Sequence, residues 1–404
     1  MINLIIKNVI FGGKKTDLKI GSSDKVIDGF NLYAHRCFVD THMHILALGV
    51  KLLTHDLEKE KLNELLNSGE SPLIARGWSE MPPIELINSV DYPVALIRKC
   101  GHKAVVNDAA KKLLNLESNI LLESEVDKIY KLLAKNDYKR ALKAAERELF
   151  KVGISYVHSD DLHSISFDDL AEILQNSKIR IYEKLFTYDP KEDMFGKISE
   201  RVYFGAIKLY SDGSIGARTA FMKKPYVDTK ENGVFLLSSE ILEKVFEFGK
   251  KTGVEIAIHA IGDAALERLA PYFNRYPGNR IIHAQFVSEN ALPLLKHTHF
   301  SVQPHFYFED QETLKYVRTT SLKYPFLRLH KEGYDISFSS DAPVSPHDPR
   351  YVVQAALKMG FSKEEAMELY TKGSKDLCLY ESEDPLESYP VAIVMEDGEV
   401  IDLG

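Results

Sequence analysis

Several features that would point to other classes of protein are scarce in this chain. Acidic residues outnumber basic ones, 59 to 51, so the net charge of the 404 residues is −8. The basic footprint that nucleic acids and anionic membranes attract is therefore missing. No uninterrupted apolar stretch approaches the roughly 18–20 residues of a membrane helix. We expect a small-molecule substrate, with no nucleic-acid partner and no membrane association.

Cysteine is also scarce. Cys37, Cys100 and Cys378 are far apart, odd in number and without CxxC spacing. This pattern favours free thiols in a reducing compartment over a disulfide framework. The N-terminal segment MINLIIKNVIFGGKK is interrupted by lysines and followed by no small-residue cleavage site, so it is interpreted as a strand rather than a signal peptide. These observations predict a cytoplasmic protein.

Apolar, β-rich runs recur along the chain and alternate with segments of helical periodicity, as in a parallel α/β fold. One such segment, SSEILEKVFEFGKKTG (238–253), predicts a helix that ends at Gly253. If the fold is an eight-stranded barrel, one of the nine runs must lie outside it. The runs are CFVD (37–40), PVALIR (93–98), ISYVHSD (154–160), IRIYEKLF (179–186), YFGAIKLYSDG (203–213), VEIAIHAIGD (254–263), RIIHAQ (280–285), FSVQPHF (300–306) and YDISFSSD (334–341).

The two ends of the chain have a different pattern. The first 29 residues contain strand and turn signals without a helix, and VAIVMEDGEVIDLG predicts a hairpin around Asp397 and Gly398. We therefore expect a small β-domain formed by residues 1–36 and 385–404. The barrel would occupy residues 37–384, with an insertion within about 50–150.

The segment FVDTHMH places His42 and His44 directly after a strand-like run. With 14 histidines in the chain, about half of one such pair is expected by chance, and a second pair exists at His297 and His299. In a parallel barrel, chemistry occurs at the C-terminal ends of the strands. His42 and His44 meet this criterion, whereas the second pair precedes its strand and is interpreted as structural.

The same criterion selects Lys208, His259, His283 and Asp341, which lie at or near the ends of later runs. Each has a simpler explanation when taken alone: a core histidine, a helix-capping aspartate or a salt-bridged lysine. Their convergence on one rim favours a metal site. Imidazole nitrogens combined with a carboxylate are typical ligands of zinc or a neighbouring first-row metal.

At this point the chain resembles a known family, the YtcJ-like branch of metal-dependent hydrolases in the amidohydrolase superfamily. The resemblance implies a distorted (β/α)8 TIM barrel with a small β-sandwich formed by both termini. Its motifs extend nearly from end to end: FVDTHMH (38–44), ARGW (75–78), GHKAVVN (101–107), IKLYSDGSIGARTA (207–220), PYVD (225–228), AIHAIGD (257–263), IIHAQ (281–285), SVQP (301–304) and SSDAPVSPHDP (339–349).

The resemblance also implies roles for the selected residues. His42 and His44 would bind the more buried of one or two divalent metal ions, with zinc as the expected metal. Lys208 would carry a carbamate derived from carbon dioxide that bridges the metals, and His259 and His283 would bind the second ion. Asp341 would bind metal and move protons, and His283 would share in catalysis. The implied reaction is hydrolysis of a non-peptide C–N bond in an amide, cyclic amide or N-acyl or formamide compound. A homodimer is compatible with the family.

Six further residues are candidates for substrate binding. Arg218 could hold a substrate carboxylate bidentately, although an internal salt bridge is equally open. His158 and His305 end strand-like runs, so we expect them to face the rim, whereas core packing is the alternative for Trp78. The full set is His102, Arg218, His158, Gln303, His305 and Trp78.

Other functions remain open, because a scaffold does not dictate its substrate. An esterase, lactonase or phosphoesterase could use the same fold. A non-catalytic, metal-free relative could act as a binding protein. A nucleotide-dependent enzyme is disfavoured, because neither GxxxxGK(S/T) nor a GxGxxG following a strand is found.

Overall fold

A computed structural model describes residues 4–20, 26–98, 103–162 and 165–403 of the chain. The chain divides into two compact units. The first comprises Met1–Ile45, Glu146–His163 and Gln175–Gly404, and the second comprises Leu46–Ala145 and Ser164–Leu174. Within the described ranges, none of the helices combines the length and the apolar character that crossing a bilayer takes.

Eight parallel strands in the first unit form a nearly closed barrel, which confirms the predicted α/β barrel. Strand β1 borders β2, and pairing then proceeds in chain order to β8. The one predicted run outside the barrel, PVALIR (93–98), lies instead in the second unit as strand Val94–Arg98. The barrel strands are β1 (Phe38–Met43), β2 (Ile154–Ser159), β3 (Arg180–Phe186), β4 (Val202–Tyr210), β5 (Glu255–Ala260), β6 (Arg280–His283), β7 (His299–Val302) and β8 (Asp335–Phe338).

Burial on both faces explains why the barrel strands read as continuous apolar runs rather than as alternating ones. All six residues of β1 are buried. The helix Ser239–Thr252 covers the outside with a buried stripe that includes Leu242 and Phe246. It begins where the Ser238 hydroxyl accepts a hydrogen bond from the Ile241 amide, and it ends at Gly253, whose φ is +78°. The predicted helix end is therefore confirmed.

The other helices connect and cover the strands. The helix Lys135–Lys151 directly precedes β2 in the chain. The α-helices besides Ser239–Thr252 are Ile45–Leu53, Leu62–Asn67, Ile84–Ile87, Asp108–Leu113, Lys135–Lys151, Phe167–Leu174, Asp263–Arg275, Phe306–Glu309, Gln311–Leu314, Phe326–Lys331, Pro349–Lys358 and Lys363–Thr371, and the 3-10 helices are Glu123–Leu132, Glu192–Met194 and Leu292–Leu295.

Both chain ends join in one seven-stranded sheet. The predicted hairpin is confirmed, because Ala392–Val394 pairs antiparallel with Val400–Asp402. The sheet also includes Leu377–Tyr380, upstream of the predicted boundary at residue 385. A second sheet layer, which a sandwich needs, stays a prediction. The sheet order is Lys14–Ile20, Leu4–Phe11, Tyr33–Arg36, Leu377–Tyr380, Ala392–Val394 and Val400–Asp402, with Val26–Asp28 beside Leu4–Phe11.

The second unit contains a five-stranded sheet of its own. Hydrophobic residues cover both of its faces. The predicted domain boundaries, including the insertion within about 50–150, stay a prediction. The strands follow the order Ile120–Leu122, Lys103–Val106, Val94–Arg98, Leu73–Trp78 and His55–Asp56, and two short pairings occur elsewhere, Phe286–Val287 with Leu322–Lys323 and Gly196–Lys197 with β4.

Cys37 and Cys378 are paired as a disulfide, with Cα atoms 5.2 Å apart and a sequence separation of 341 residues. The prediction of free thiols is therefore wrong for these two residues, and Cys100 lies outside the described residues. The pairing follows from the terminal sheet. Tyr33–Arg36 runs antiparallel to Leu377–Tyr380 and brings the two cysteines side by side.

Replacing both Cys37 and Cys378 with serine should lower the free energy of unfolding by about 2–5 kcal/mol, because the cross-link restricts the unfolded chain over a long loop. Guanidinium unfolding of the double variant measures this change, and Cys100→Ser, which leaves the pair intact, is the control. A non-reducing peptide map that recovers free Cys37 and Cys378 from native protein would contradict the pairing.

Candidate metal centre

Three predicted ligands converge where β1 and β8 end. One ligand atom from each of His42, His44 and Asp341 lies within 4.8 Å of the other two. The Nε2 atoms of His42 and His44 are 3.2 and 3.3 Å from Asp341 Oδ1. Two imidazole nitrogens and a carboxylate oxygen in this arrangement fit a first-row divalent metal ion.

Asp40 aligns the two strands that carry these ligands. Its buried carboxylate accepts hydrogen bonds from the His42 amide at 3.2 Å and from the Ser340 amide at 3.1 Å. The Asp341 amide in turn donates to the His42 carbonyl at 2.9 Å. Burial raises the pKa of Asp40 to about 6, although hydrogen bonds from Ser340 oppose the rise. The first and last strands are thus joined at the metal ligands.

Hydrogen bonds also orient two of the rings. The Asp160 carbonyl lies 2.7 Å from His44 Nδ1 and can only accept, so Nδ1 carries a proton and Nε2 is the nitrogen that faces Asp341. His283 Nδ1 lies 2.9 Å from Gln303 Oε1. The amide nitrogen of Gln303 is engaged by Ser339 Oγ at 2.8 Å, which leaves Oε1 to face the ring. Such partners fix the tautomer of metal-ligating histidines.

Burial keeps most of these imidazoles neutral, which is the form that binds metal. Burial, reinforced by the positive charge of Lys208, holds the pKa of His42 well below its usual value and lowers that of His259 to about 3. Burial and the neighbouring His259 hold the pKa of His283 well below its usual value. Burial also acts to lower the pKa of His44, but the hydrogen bond to Asp341 and nearby carboxylates outweigh it and raise that pKa.

Lys208 is fully buried and ion-paired. Its Nζ lies 2.6 Å from Asp160 Oδ2, and the Tyr210 hydroxyl donates to the same oxygen at 2.9 Å. Nζ also lies 4.3 Å from the centre of the Tyr210 ring. The charged group that contacts Lys208 is therefore a carboxylate.

The backbone is unusual at two of the predicted catalytic residues. His283 has φ +77° and Asp341 has φ +58°, and Ala284 follows with φ +49°. Non-glycine residues in this region cost about 1–3 kcal/mol each and occur preferentially at functional sites. The left-handed turns lie where β6 and β8 end, so both side chains are directed by strained backbone.

All six predicted metal ligands line one pocket of about 370 Å³ in the first unit. The Nε2 atom of His259 faces the Gly213 carbonyl at 3.1 Å, and its ring centre is 4.5 Å from that of His283. The other described lining residues are Tyr210, Ser214, Ile215, Gly216, Ile261, Gln285, Phe306, Glu309, Asp310 and Val344.

The prediction that His158 faces this rim is wrong. Its Nδ1 accepts a hydrogen bond of 2.7 Å from Arg280 Nη1. Arg280 is the first residue of β6, so the ring lies toward the N-terminal end of the barrel. The rings of Tyr156 and Tyr182 pack on either side at 4.9 Å.

The Arg218 guanidinium forms hydrogen bonds with residues close to it in the chain, and Arg218 is not among the described residues that line the pocket. Its Nε lies 3.0 Å from Asp228 Oδ2, and Nη1 donates to the Ile215 carbonyl at 2.8 Å. The guanidinium also lies 4.2 Å from the centre of the Tyr316 ring. The internal salt bridge, rather than a grip on a substrate carboxylate, is therefore what the geometry supports.

The remaining substrate candidates have different surroundings. Gln303 is fully buried behind His283. His305 donates from Nε2 to the Ser340 carbonyl at 3.1 Å and so supports the residue before Asp341. Trp78 packs in the core of the second unit, where Nε1 donates to the Leu96 carbonyl at 2.9 Å. His102 lies outside the described residues. Direct substrate contact by these four residues stays a prediction.

The second histidine pair is structural, as expected. His299 begins β7, and its ring nitrogens meet Asp335 Oδ2 at 2.9 Å and Ser337 Oγ at 2.8 Å. His297 is exposed. Conversely, the sequence interpretation missed Asp160 and Gln285. Asp160 and Gln285 are the last residues of two predicted runs, so the criterion that selected His283 could have found them.

Comparison with known proteins agrees with this site. The sequence profile of the amidohydrolase family matches residues 25–378. The chain is 27% identical to YtcJ of Bacillus subtilis (strain 168), whose name assigns it to the amidohydrolases, over 83% of this chain and 78% of that protein.

Two solved structures, both of uncharacterized metal-dependent hydrolases, are also similar. The one from Pyrococcus furiosus is 25% identical with a TM-score of 0.79, covering 95% of this chain and 99% of the other. The one from Pyrococcus horikoshii OT3 is 27% identical with a TM-score of 0.75, covering 96% and 90%. With the converging histidines and aspartate on the same barrel, the chain belongs to the amidohydrolase family and is a metal-dependent hydrolase.

Proposed function

We propose that the chain hydrolyses a non-peptide C–N bond of a small molecule, in an amide, cyclic amide or N-acyl or formamide compound. The observation that carries the proposal is the convergence of His42, His44 and Asp341 within 4.8 Å in a pocket large enough for a small ligand. We propose zinc as the metal, because the ligand atoms are nitrogen and carboxylate oxygen.

The proposed reaction assigns separate roles to the metal-binding cluster, to Asp341 and to His283. A divalent ion bound by the cluster would lower the pKa of a bound water toward about 7 and polarise the substrate carbonyl. Asp341 Oδ1 lies beside both Nε2 atoms, and in this proposal it takes a proton from the attacking water and returns it to the leaving nitrogen. His283 is held neutral by burial and lines the pocket, and Nε2, the ring nitrogen that does not contact Gln303, can accept a hydrogen bond or bind a metal ion.

The surroundings of Lys208 do not fit a carbamate. Addition of carbon dioxide would create an anion on Nζ, and Nζ lies 2.6 Å from the buried Asp160 carboxylate, which carries the same sign of charge. We therefore derive no step through this group, and Lys208 acts as the counter-ion of Asp160. Intact-protein mass spectrometry under carbon dioxide should show the unmodified mass. An added carbon dioxide mapped to Lys208 would contradict this assignment.

Gln303→Leu should lower the metal affinity by roughly 10- to 100-fold, because the His283 ring loses the acceptor that orients it. Competition with a chromogenic chelator measures the affinity. Gln354→Leu, an exposed position on the helix Pro349–Lys358, is the matched control. Unchanged affinity in a folded Gln303→Leu protein would contradict the role of His283 at the metal.

A substrate screen tests the proposed reaction. The purified protein is assayed with N-acyl amino acids, cyclic amides, formamides, esters and lactones, with metal content measured on the same sample. Faster turnover of esters or lactones than of matched amides would favour the alternative hydrolases. Less than about half an equivalent of metal, without rescue by added divalent ions, would favour a binding protein.

The remaining expectations are retained as proposals. We propose a small-molecule substrate, no nucleic-acid or membrane partner, and a homodimer as one assembly to test. A cytoplasmic location also stays a proposal. The Cys37–Cys378 disulfide removes the support that free thiols would have provided for a reducing compartment.

A further inference from the structure

Gln285 is a buried polar side chain of the pocket that the proposed reaction does not use. It lies two residues after His283, lines the pocket and is 2% exposed. Its Nε2 donates to Asp310 Oδ2 at 3.4 Å. Its Oε1 is buried and accepts no hydrogen bond from any residue in the described part of the chain.

The orientation of this amide follows from its neighbour. Asp310 Oδ2 also accepts a short hydrogen bond of 2.6 Å from the Tyr324 hydroxyl. An ionised carboxylate only accepts, so the amide nitrogen of Gln285 must face Asp310 and the oxygen must face away from it. The backbone of Gln285 is fixed as well, because its carbonyl accepts from the Tyr324 amide at 2.6 Å. Buried acceptors of this kind normally have a donor. Because Gln285 lines the pocket, the N–H of a bound ligand is a candidate for that donor.

Charge points to the same kind of ligand. Beyond the ligand Asp341, Glu309 and Asp310 contribute two carboxylates to the described lining. Lys208 is the one lysine or arginine among the described lining residues, and its ammonium is held by Asp160. Arg218, a candidate for holding a substrate carboxylate, pairs with Asp228. A substrate carboxylate would therefore meet negative charge without a partner.

Among the lining residues of the pocket, Phe306 provides an apolar surface near Asp310. Phe306 stacks against His283, with ring centres 6.1 Å apart and planes 14° from parallel. Asp310 lies one helical turn beyond Phe306, since its amide donates to the Phe306 carbonyl at 2.9 Å. Phe306 thus connects His283 to the segment that carries Asp310, and an aliphatic part of a substrate can pack on its ring.

We propose that the pocket recognises substrates that carry a cationic N–H donor, an ammonium or guanidinium group, at the end remote from the scissile bond. Gln285 Oε1 accepts one N–H, and Asp310 and Glu309 supply the opposite charge. The substrate class is thus an N-acylated amine with a second, basic nitrogen. This inference rests on the proposed hydrolysis of a C–N bond.

Three formamides of equal chain length test the proposal: N-formylcadaverine with an ammonium end, N-formylhexylamine with a methyl end and N-formylaminocaproate with a carboxylate end. For zinc-loaded protein, we expect kcat/KM to be highest for the ammonium compound and at least about tenfold lower for the carboxylate compound. A carboxylate compound that is turned over as well as the ammonium compound would overturn the proposal, while the hydrolase function would stand.

Two variants test whether Gln285 and Asp310 cause the preference for the ammonium compound over the methyl compound. Gln285→Leu and Asp310→Asn should each reduce the ratio of kcat/KM between the ammonium and methyl compounds, chiefly through KM of the ammonium compound. Glu312→Gln, whose exposed side chain pairs with Lys315 outside the pocket, should leave the ratio unchanged. An unchanged ratio in both pocket variants would assign the preference elsewhere and refute the role of these residues.

A binding measurement separates the inference from the proposed reaction. If none of the formamides is hydrolysed, calorimetric titration of zinc-loaded protein compares the ammonium and methyl compounds. Tighter binding of N-formylcadaverine supports the cation site even though the C–N reaction has failed. Equal or weaker binding than N-formylhexylamine, or no binding at all, overturns the cation site.

Discussion

Replacing both His42 and His44 with alanine is expected to remove the bound divalent metal and to abolish most of the hydrolytic activity. The change deletes two of the three ligand atoms that lie within 4.8 Å of one another and leaves Asp341 alone. A bound metal contributes several kcal/mol to hydrolysis, and about 1.36 kcal/mol corresponds to a tenfold change in rate, so we expect a loss of at least about a thousand-fold. Elemental analysis and kcat/KM, measured on the same samples, give both quantities.

The chain contains its own control for this experiment. His297 belongs to a pair with the same HxH spacing, but its side chain is exposed beside the start of β7. His297→Ala should retain metal and activity. Circular dichroism must show that the His42/His44 double variant is folded, because His42 is 1% exposed and its truncation leaves a cavity. A folded double variant that keeps a full equivalent of metal would place the metal elsewhere.

The convergence of the six predicted site residues on one pocket could be predicted because two local signals combine with one rule of topology. Runs of buried residues mark the parallel strands, and parallel strands place their C-terminal ends on one rim. This is sufficient to bring His42, Lys208 and Asp341 into one pocket from positions as much as 299 residues apart. The combination of buried runs and barrel topology does not require knowledge of any side-chain contact. It can therefore be applied to a sequence without a structure.

Side-chain direction could not be predicted in the same way. His158 ends an apolar run, but β2 extends to Ser159, and a guanidinium from the start of β6 holds the His158 ring at the N-terminal end. Successive residues of a strand point to opposite faces, so a one-residue uncertainty in where a strand ends changes which side chain reaches the rim.

The sequence pattern also does not show which of several possible partners a side chain contacts. A substrate carboxylate was one possible partner for the Arg218 guanidinium, but Asp228, ten residues further along the chain, binds that guanidinium instead. The Cys37–Cys378 pair depends on strand pairing between residues 341 positions apart. Cysteine spacing alone carries no information about such a distant contact. Both contacts are long-range or compete with other partners, which periodicity does not encode.

Asp341→Asn is expected to lower kcat by roughly 100- to 10,000-fold at saturating zinc, because the amide can neither accept the water proton nor return it to the leaving nitrogen. The substitution is nearly isosteric, and asparagine is among the residues that most readily adopt the left-handed backbone found here, φ +58°. The fold should therefore be retained, and the loss should appear in kcat rather than in the melting temperature.

Asp335→Asn is the matched control, because Asp335 begins β8, the strand that Asp341 follows, and pairs with His299 and Lys372 away from the pocket. It should affect stability but not kcat. Stopped-time assays with excess zinc separate the two effects of Asp341, since added metal can restore occupancy but cannot restore a proton acceptor. If excess zinc returned Asp341→Asn to wild-type kcat, Asp341 would be only a ligand, and another group in the pocket would have to carry the proton.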